Sequence, residues 1–134
     1  MIYFDTDVLV HYHVIQDVTK HQQAKTLLDT ATQSGRLFVS LLALQELAYV
    51  LAKLQTDRQT ILVKVGSYYR LAPAPFGLNH YQRAVALANL IGFQHISDCL
   101  HTAIAETYCT ELYTYNQSDF KRIQPHTSLS ITIL

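Results

Sequence analysis

Short apolar runs rich in β-formers alternate along the chain with longer stretches whose apolar residues recur at helical spacing. Met1 to Phe4 is a brief strand ending at Asp5, and Leu37 to Ser40 is a second one. From Leu41 to Leu54 apolar residues stand at 44, 47, 51 and 54, which puts them on one face of a helix. Leu71 to Pro75 reads as a third strand, weakened by prolines that cannot donate to a ladder. Asn79 is the expected cap of a helix through Leu90, with Ala84, Leu87 and Ala88 turned inward and Gly92 as its stop. Ser97 is the expected N-cap of a helix to about Tyr108, along which Leu100, Ile104 and Tyr108 form a stripe. Glu111 to Tyr115 predicts a fourth strand and Leu129 to Leu134 a terminal fifth, while segments 17–34 and 57–69 read as helices.

Strands separated by helices imply βαβ units, hence an α/β fold with a parallel sheet covered on both faces. In such sheets ligands bind beyond the carboxyl ends of the strands, where the strand order switches. Asp5 follows the first strand, and Asn116 and Asp119 follow the fourth, so all three fall on that edge. The 134 residues, 49% of them apolar, suit a single domain over 1–134. No apolar run approaches the roughly 18 residues of a membrane span, and no basic-then-apolar signal pattern opens the chain, so the expectation is a cytoplasmic protein. Cys99 and Cys109 stand ten apart, about 15 Å along a straight helix, too far to bridge. They are expected to be reduced core residues.

The chain has only ten Asp and Glu, yet four of them, Asp5, Glu46, Asp98 and Asp119, stand in apolar or strand-end settings. Each has an ordinary explanation. Asp5 or Thr6 caps the helix that begins near Asp7, and Asp98 lies at a helix start where the dipole favours negative charge. Glu46 sits at the border of an apolar face and is within reach of Lys53, while Asp119 suits a cap or Asx turn. Together they suggest more, because carboxylates gathered from distant segments are what a hard cation such as Mg²⁺ or Mn²⁺ needs. Such a cation is a ready means of hydrolysing a phosphodiester. His101 shares a face with Asp98, but no further His or Cys stands at the spacing of a zinc site.

The joint pattern resembles the PIN-domain nucleases, and among them the small VapC-type toxins of bacterial toxin–antitoxin pairs. The resemblance rests on four pieces: Tyr3-Phe4-Asp5-Thr6-Asp7-Val8-Leu9, the run from Ser40 to Glu46-Leu47, the run from Ser97-Asp98 to Ala105, and Thr114-Tyr115-Asn116-Gln117-Ser118-Asp119-Phe120. The chain departs from the family pattern at Asp7, where Asn or Ser is common, and at Cys99, where Ala is common. The resemblance implies a three-layer α/β/α fold around a parallel sheet of four to five strands. It implies an acidic pocket of Asp5, Glu46, Asp98 and Asp119, with Thr6 and Asn116 in support. It further implies Mg²⁺ or Mn²⁺ dependence, RNA as substrate, homodimerisation and inhibition by a small antitoxin.

On this reading Asp5 and Asp98 ligate the metal, Asp119 and Asn116 bind it directly or through water, and Glu46 holds or deprotonates the attacking water. The formal net charge of zero gives such a function little help, since nucleic-acid affinity draws on Lys and Arg. Two other readings are open. One is a catalytically inert interaction module on the same fold. The other is a haloacid-dehalogenase-like phosphatase, whose nucleophile–acid pair Asp5-Thr6-Asp7 mimics but whose downstream lysine and paired acids are not evident.

Overall fold

The three residues of β1 (Ile2–Phe4) are all buried, because this strand runs through the middle of the sheet. The computed structural model describes residues 1–134, and its sheet has the order β2-β1-β3-β4, with every pairing parallel. β2 is Leu37–Phe38, β3 is Glu111–Thr114 and β4 is Ser130–Ile133. Seven α-helices connect and cover them: α1 (Thr6–His13), α2 (Val18–Gln33), α3 (Leu41–Lys53), α4 (Arg58–Gly66), α5 (Leu78–Ile91), α6 (Ile96–Tyr108) and α7 (Gln117–Ile123).

Side chains alternate across a strand, so β1 serves two cores. Ile2 and Phe4 pack on one face with Leu9 of α1, Leu28 of α2 and Leu47 of α3. Tyr3 points the other way, among Leu87 of α5, Ile104 of α6 and Phe120 of α7. Helices on both faces of a parallel sheet make the three-layer α/β/α architecture, as the alternating pattern implied. No helix is long and apolar enough to cross a membrane. Cys99 and Cys109 are free and buried.

Three local expectations need correction. The run Leu71 to Pro75 is not a strand: a 3₁₀ turn occupies Tyr69–Leu71, and only Ala74 bridges to Ser40. Ala74 N donates to Val39 O at 3.0 Å and Ala74 O accepts from Leu41 N at 2.9 Å. Its neighbours Pro73 and Pro75 have no N–H, so the ladder stops at one residue and the sheet has four strands. Helix α5 starts earlier than Asn79, with Gly77 at the cap, where Gly77 N donates to His80 Nδ1 at 3.0 Å. Helix α6 starts before Ser97, following a 3₁₀ turn over Phe93–His95, which leaves the Ser97 hydroxyl free for another partner.

Candidate metal and catalytic pocket

In the order β2-β1-β3-β4 the connection from β1 leads to β2 on one side and that from β3 to β4 on the other, which opens a crevice between the carboxyl ends of β1 and β3. Asp5 caps α1 at the edge of that crevice. Its Oδ1 accepts from Thr6 N at 2.8 Å and its Oδ2 from Thr114 Oγ1 at 2.8 Å, and the residue is only 5% exposed. The capping expectation is therefore correct, and capping is also what holds this carboxylate at the strand end. Asp7 follows on α1, with Oδ2 accepting from Tyr115 N at 3.0 Å and Oδ1 buried without a partner.

Glu46 comes from the middle of α3 and does not pair with Lys53, whose ammonium lies over the Tyr49 ring instead. Its Oε2 accepts from Thr6 Oγ1 at 2.7 Å and from His101 Nε2 at 2.7 Å, and its Oε1 accepts from Ser97 Oγ at 3.0 Å. Burial pushes this carboxyl up, but the hydrogen bond and charge of His101, with Thr6 and Ser97, outweigh it and hold the group at about 2. His101 itself is pushed down by burial and more strongly up by Glu46 and the acids around it, so its net shift is upward.

Asp98 and Asp119 meet through Asn116. This asparagine caps α7, its Oδ1 accepting from Asp119 N at 3.3 Å, so the cap expected of Asp119 belongs to its neighbour. Asn116 Nδ2 donates to Asp119 Oδ2 at 2.9 Å and reaches Asp98 Oδ2 at 3.4 Å. His95 Nδ1 stands 3.0 Å from Asp119 Oδ1. One ligand atom from each of His95, Asp98 and Asp119 lies within 4.8 Å of the other two.

Asp5, Thr6, Asp7, Glu46, Asp98 and Asn116 all line one open cleft of about 540 Å³. Asp119 does not line it but flanks it behind Asn116. Electrostatics mark the same place. Burial, then the charge of Asp5, pushes Asp98 up to about 8, and burial with Asp5 pushes Asp7 up to about 7. Asp119 moves the other way, held down by its hydrogen bond from Asn116 against burial and further by Asp98 and His95. The donor set is dominated by carboxylate oxygens, the chemistry of a hard divalent cation. Acids that burial and mutual repulsion keep from ionising fit such an ion, which relieves both costs.

Sequence reasoning placed His101 on the face of Asp98 without giving it a role, and missed His95, Tyr3 and Ser40 as parts of this region. A signal existed for the histidines, which stand three residues before and after Asp98 and so share its side of the helix start. Tyr3 carried another: a hydroxyl in an otherwise apolar central strand needs a buried partner.

The family model for the PIN domain matches residues 2–124 of the chain, nearly its whole length. No curated protein matches it significantly. The chain therefore belongs to the PIN-domain family, whose fold is of nuclease type and whose members are generally metal-dependent nucleases.

Proposed function

From membership in the PIN-domain family, we propose that this chain is a Mg²⁺- or Mn²⁺-dependent endoribonuclease, the toxin of a VapBC-type toxin–antitoxin pair. The observation that carries the reading is the convergence of acids from four separate segments, Asp5, Glu46, Asp98 and Asp119, around the carboxyl ends of β1 and β3. Asp5, Asp98 and Asp119 would hold the cation, and Thr6 and Asn116 position those groups. When bound, the ion lowers the pKa of water and offsets charge on phosphate oxygens.

The protein's own groups divide the remaining work. A carboxylate has about four lone-pair sites, and Glu46 uses two on Oε2 and one on Oε1 for Thr6, His101 and Ser97. One lone pair on Oε1 is left to accept a hydrogen bond from the attacking water and hold it in line. Asn116 Nδ2 keeps Asp98 and Asp119 at a common spacing, which prevents their repulsion from opening the site.

A cytoplasmic homodimer, neutralised by a small antitoxin, completes the reading. Supporting it are large apolar side chains left on the surface, among them Tyr49, Leu62, Val63 and Leu78. The net charge of zero favours a second reading, an inert interaction module on the same fold. Cleavage of a total-RNA pool in Mg²⁺ or Mn²⁺, beside EDTA and Asp5→Asn, separates the two. Asn keeps an oxygen acceptor for Thr6 N, so the variant should fold and yet cut no more than the EDTA control. Undiminished cutting by Asp5→Asn removes Asp5 from the site.

A further inference from the structure

A chain of buried hydrogen bonds runs behind Glu46, and the pocket chemistry proposed above uses only its last link, from His101 to Glu46. Ser40 Oγ accepts from Ala43 N at 3.1 Å and lies 2.8 Å from Tyr3 OH. Tyr3 OH lies 2.6 Å from His101 Nδ1, and His101 Nε2 lies 2.7 Å from Glu46 Oε2. Ser40, Tyr3 and His101 are each at most 1% exposed. These residues come from the loop before α3, from β1 and from α6, so the line crosses the protein from its interior to the cleft wall.

The chemistry of the two ends fixes the direction of one bond. An ionised carboxylate only accepts, so His101 Nε2 carries a proton and donates it to Glu46. At Nδ1 two arrangements are self-consistent. If Ser40 donates to Tyr3, the tyrosine donates to a neutral imidazole; if Tyr3 donates to Ser40, the imidazole is doubly protonated. Both leave Nε2–H aimed at Glu46. The ring has no freedom to turn, since each nitrogen is held and Tyr3 packs edge-on against it, with centroids 5.7 Å apart.

We propose that His101 and Tyr3 are positioning residues that lock the Glu46 carboxylate, so that its single free lone pair on Oε1 faces the cleft. The task of that lone pair rests on the nuclease reading, whereas the locked carboxylate does not. A buried histidine held on both nitrogens orients its partner much as carboxylate–histidine pairs do around metal ligands. A freed Glu46 side chain would sample other rotamers and lose the attack geometry, an effect that reaches about 10²-fold for small misplacements.

The test compares kcat and KM for RNA cleavage by wild type, His101→Met, His101→Gln, Tyr3→Phe, Glu46→Gln and the His101→Met/Glu46→Gln pair, each checked for fold by circular dichroism. His101→Met should lower kcat about 10²-fold at unchanged KM. His101→Gln, which keeps a donor near the Nε2 position, should recover most of that loss. Tyr3→Phe keeps the ring and should show a smaller fall in kcat. The double variant should be no slower than Glu46→Gln alone, because residues acting through one group are not additive. Independent losses that multiply, or a kcat that His101→Met leaves unchanged, overturn the inference. A readout apart from activity is the His101 side-chain N–H signal in histidine-labelled protein. It should exchange slowly and shift in both Tyr3→Phe and Glu46→Gln. Wild type without cleavage in either metal overturns the nuclease reading and the catalytic task with it. A fast-exchanging His101 signal overturns the hydrogen-bonded line itself.

Discussion

Asp98 and Asp7 carry the clearest consequence at the scale of single residues. Both have native pKa values, about 8 and about 7, well above the ordinary carboxylate value near 4 of the unfolded chain. Between about pH 4 and those values the native state keeps protons that the unfolded chain has released. Metal-free stability therefore falls as pH rises through that window, by up to about 1.4 kcal/mol per pH unit for each carboxyl, and levels off above about pH 8. Glu46 has the opposite sign, since its depressed pKa loses stability only as pH falls towards 2. Thermal unfolding of EDTA-treated protein from pH 5 to 8.5 should show the decline. Saturating Mn²⁺ at 100 times its Kd should add about 2.7 kcal/mol at a given pH. The affinity, and so the shift at fixed Mn²⁺, should be larger at pH 8 than at pH 6, where protons compete for the same oxygens. A flat pH dependence would overturn the raised pKa values, and an undiminished Mn²⁺ shift in Asp98→Asn would remove Asp98 from the metal ligands. The candidate acids were legible in the sequence because carboxylates are scarce and ill-placed for a surface role. Their partners were not, since nothing local ties Glu46 to His101, 55 residues away.

At the scale of elements, α5 and α6 pack through apolar faces in one core, and a partly exposed ion pair that the pocket does not need joins them further. Arg83 Nε and Nη2 donate to the two oxygens of Glu106 at 2.8 and 2.9 Å, and Nη2 also reaches His126 O at 2.8 Å. The Arg83 side chain is 39% exposed, so solvent screening discounts the pair. Arg83→Ala should lower stability by about 1 kcal/mol while leaving metal binding intact, as read by denaturant melts and calorimetric titration. A loss of metal affinity would mean that this contact also sets the register of α6 beneath Asp98. Element types were readable from periodicity, down to the helical face of Ala84, Leu87 and Ala88, all 0% exposed. Boundaries were less so. Asn79 and Ser97 both look like caps, but α5 and α6 begin one or two residues earlier. At α5 the ring of His80 takes up the Gly77 N–H, and before α6 a 3₁₀ turn leads into the helix, so neither start needs a side-chain N-cap. The proline-flanked run at 71–75 fails as a strand for a reason visible locally, the missing N–H groups on either side of Ala74.

For the whole molecule, charge sets the expectation. Ten Lys and Arg balance ten Asp and Glu, and no Lys or Arg lines the acidic cleft. RNA binding by the isolated chain should then depend weakly on salt. Few phosphate contacts give a slope of log K against log salt smaller in size than about 3, at roughly 0.7 per contact for single strands. A steeper slope, measured by anisotropy in Mn²⁺ across a salt series, would show a basic surface assembled from more than one copy. The sequence by itself determined the alternation of strands and helices, the two-faced parallel sheet and the strand ends where carboxylates collect. All of these follow from local periodicity and from the rule that parallel strands expose their carboxyl ends together. Only the tertiary structure decided that the sheet stops at four strands, that Asp119 flanks the cleft instead of lining it, and that Glu46 keeps one free lone pair. Those outcomes depend on distances between residues tens of positions apart, such as Tyr3 with His101 and Asp5 with Thr114, and close packing sets such distances where no local pattern records them.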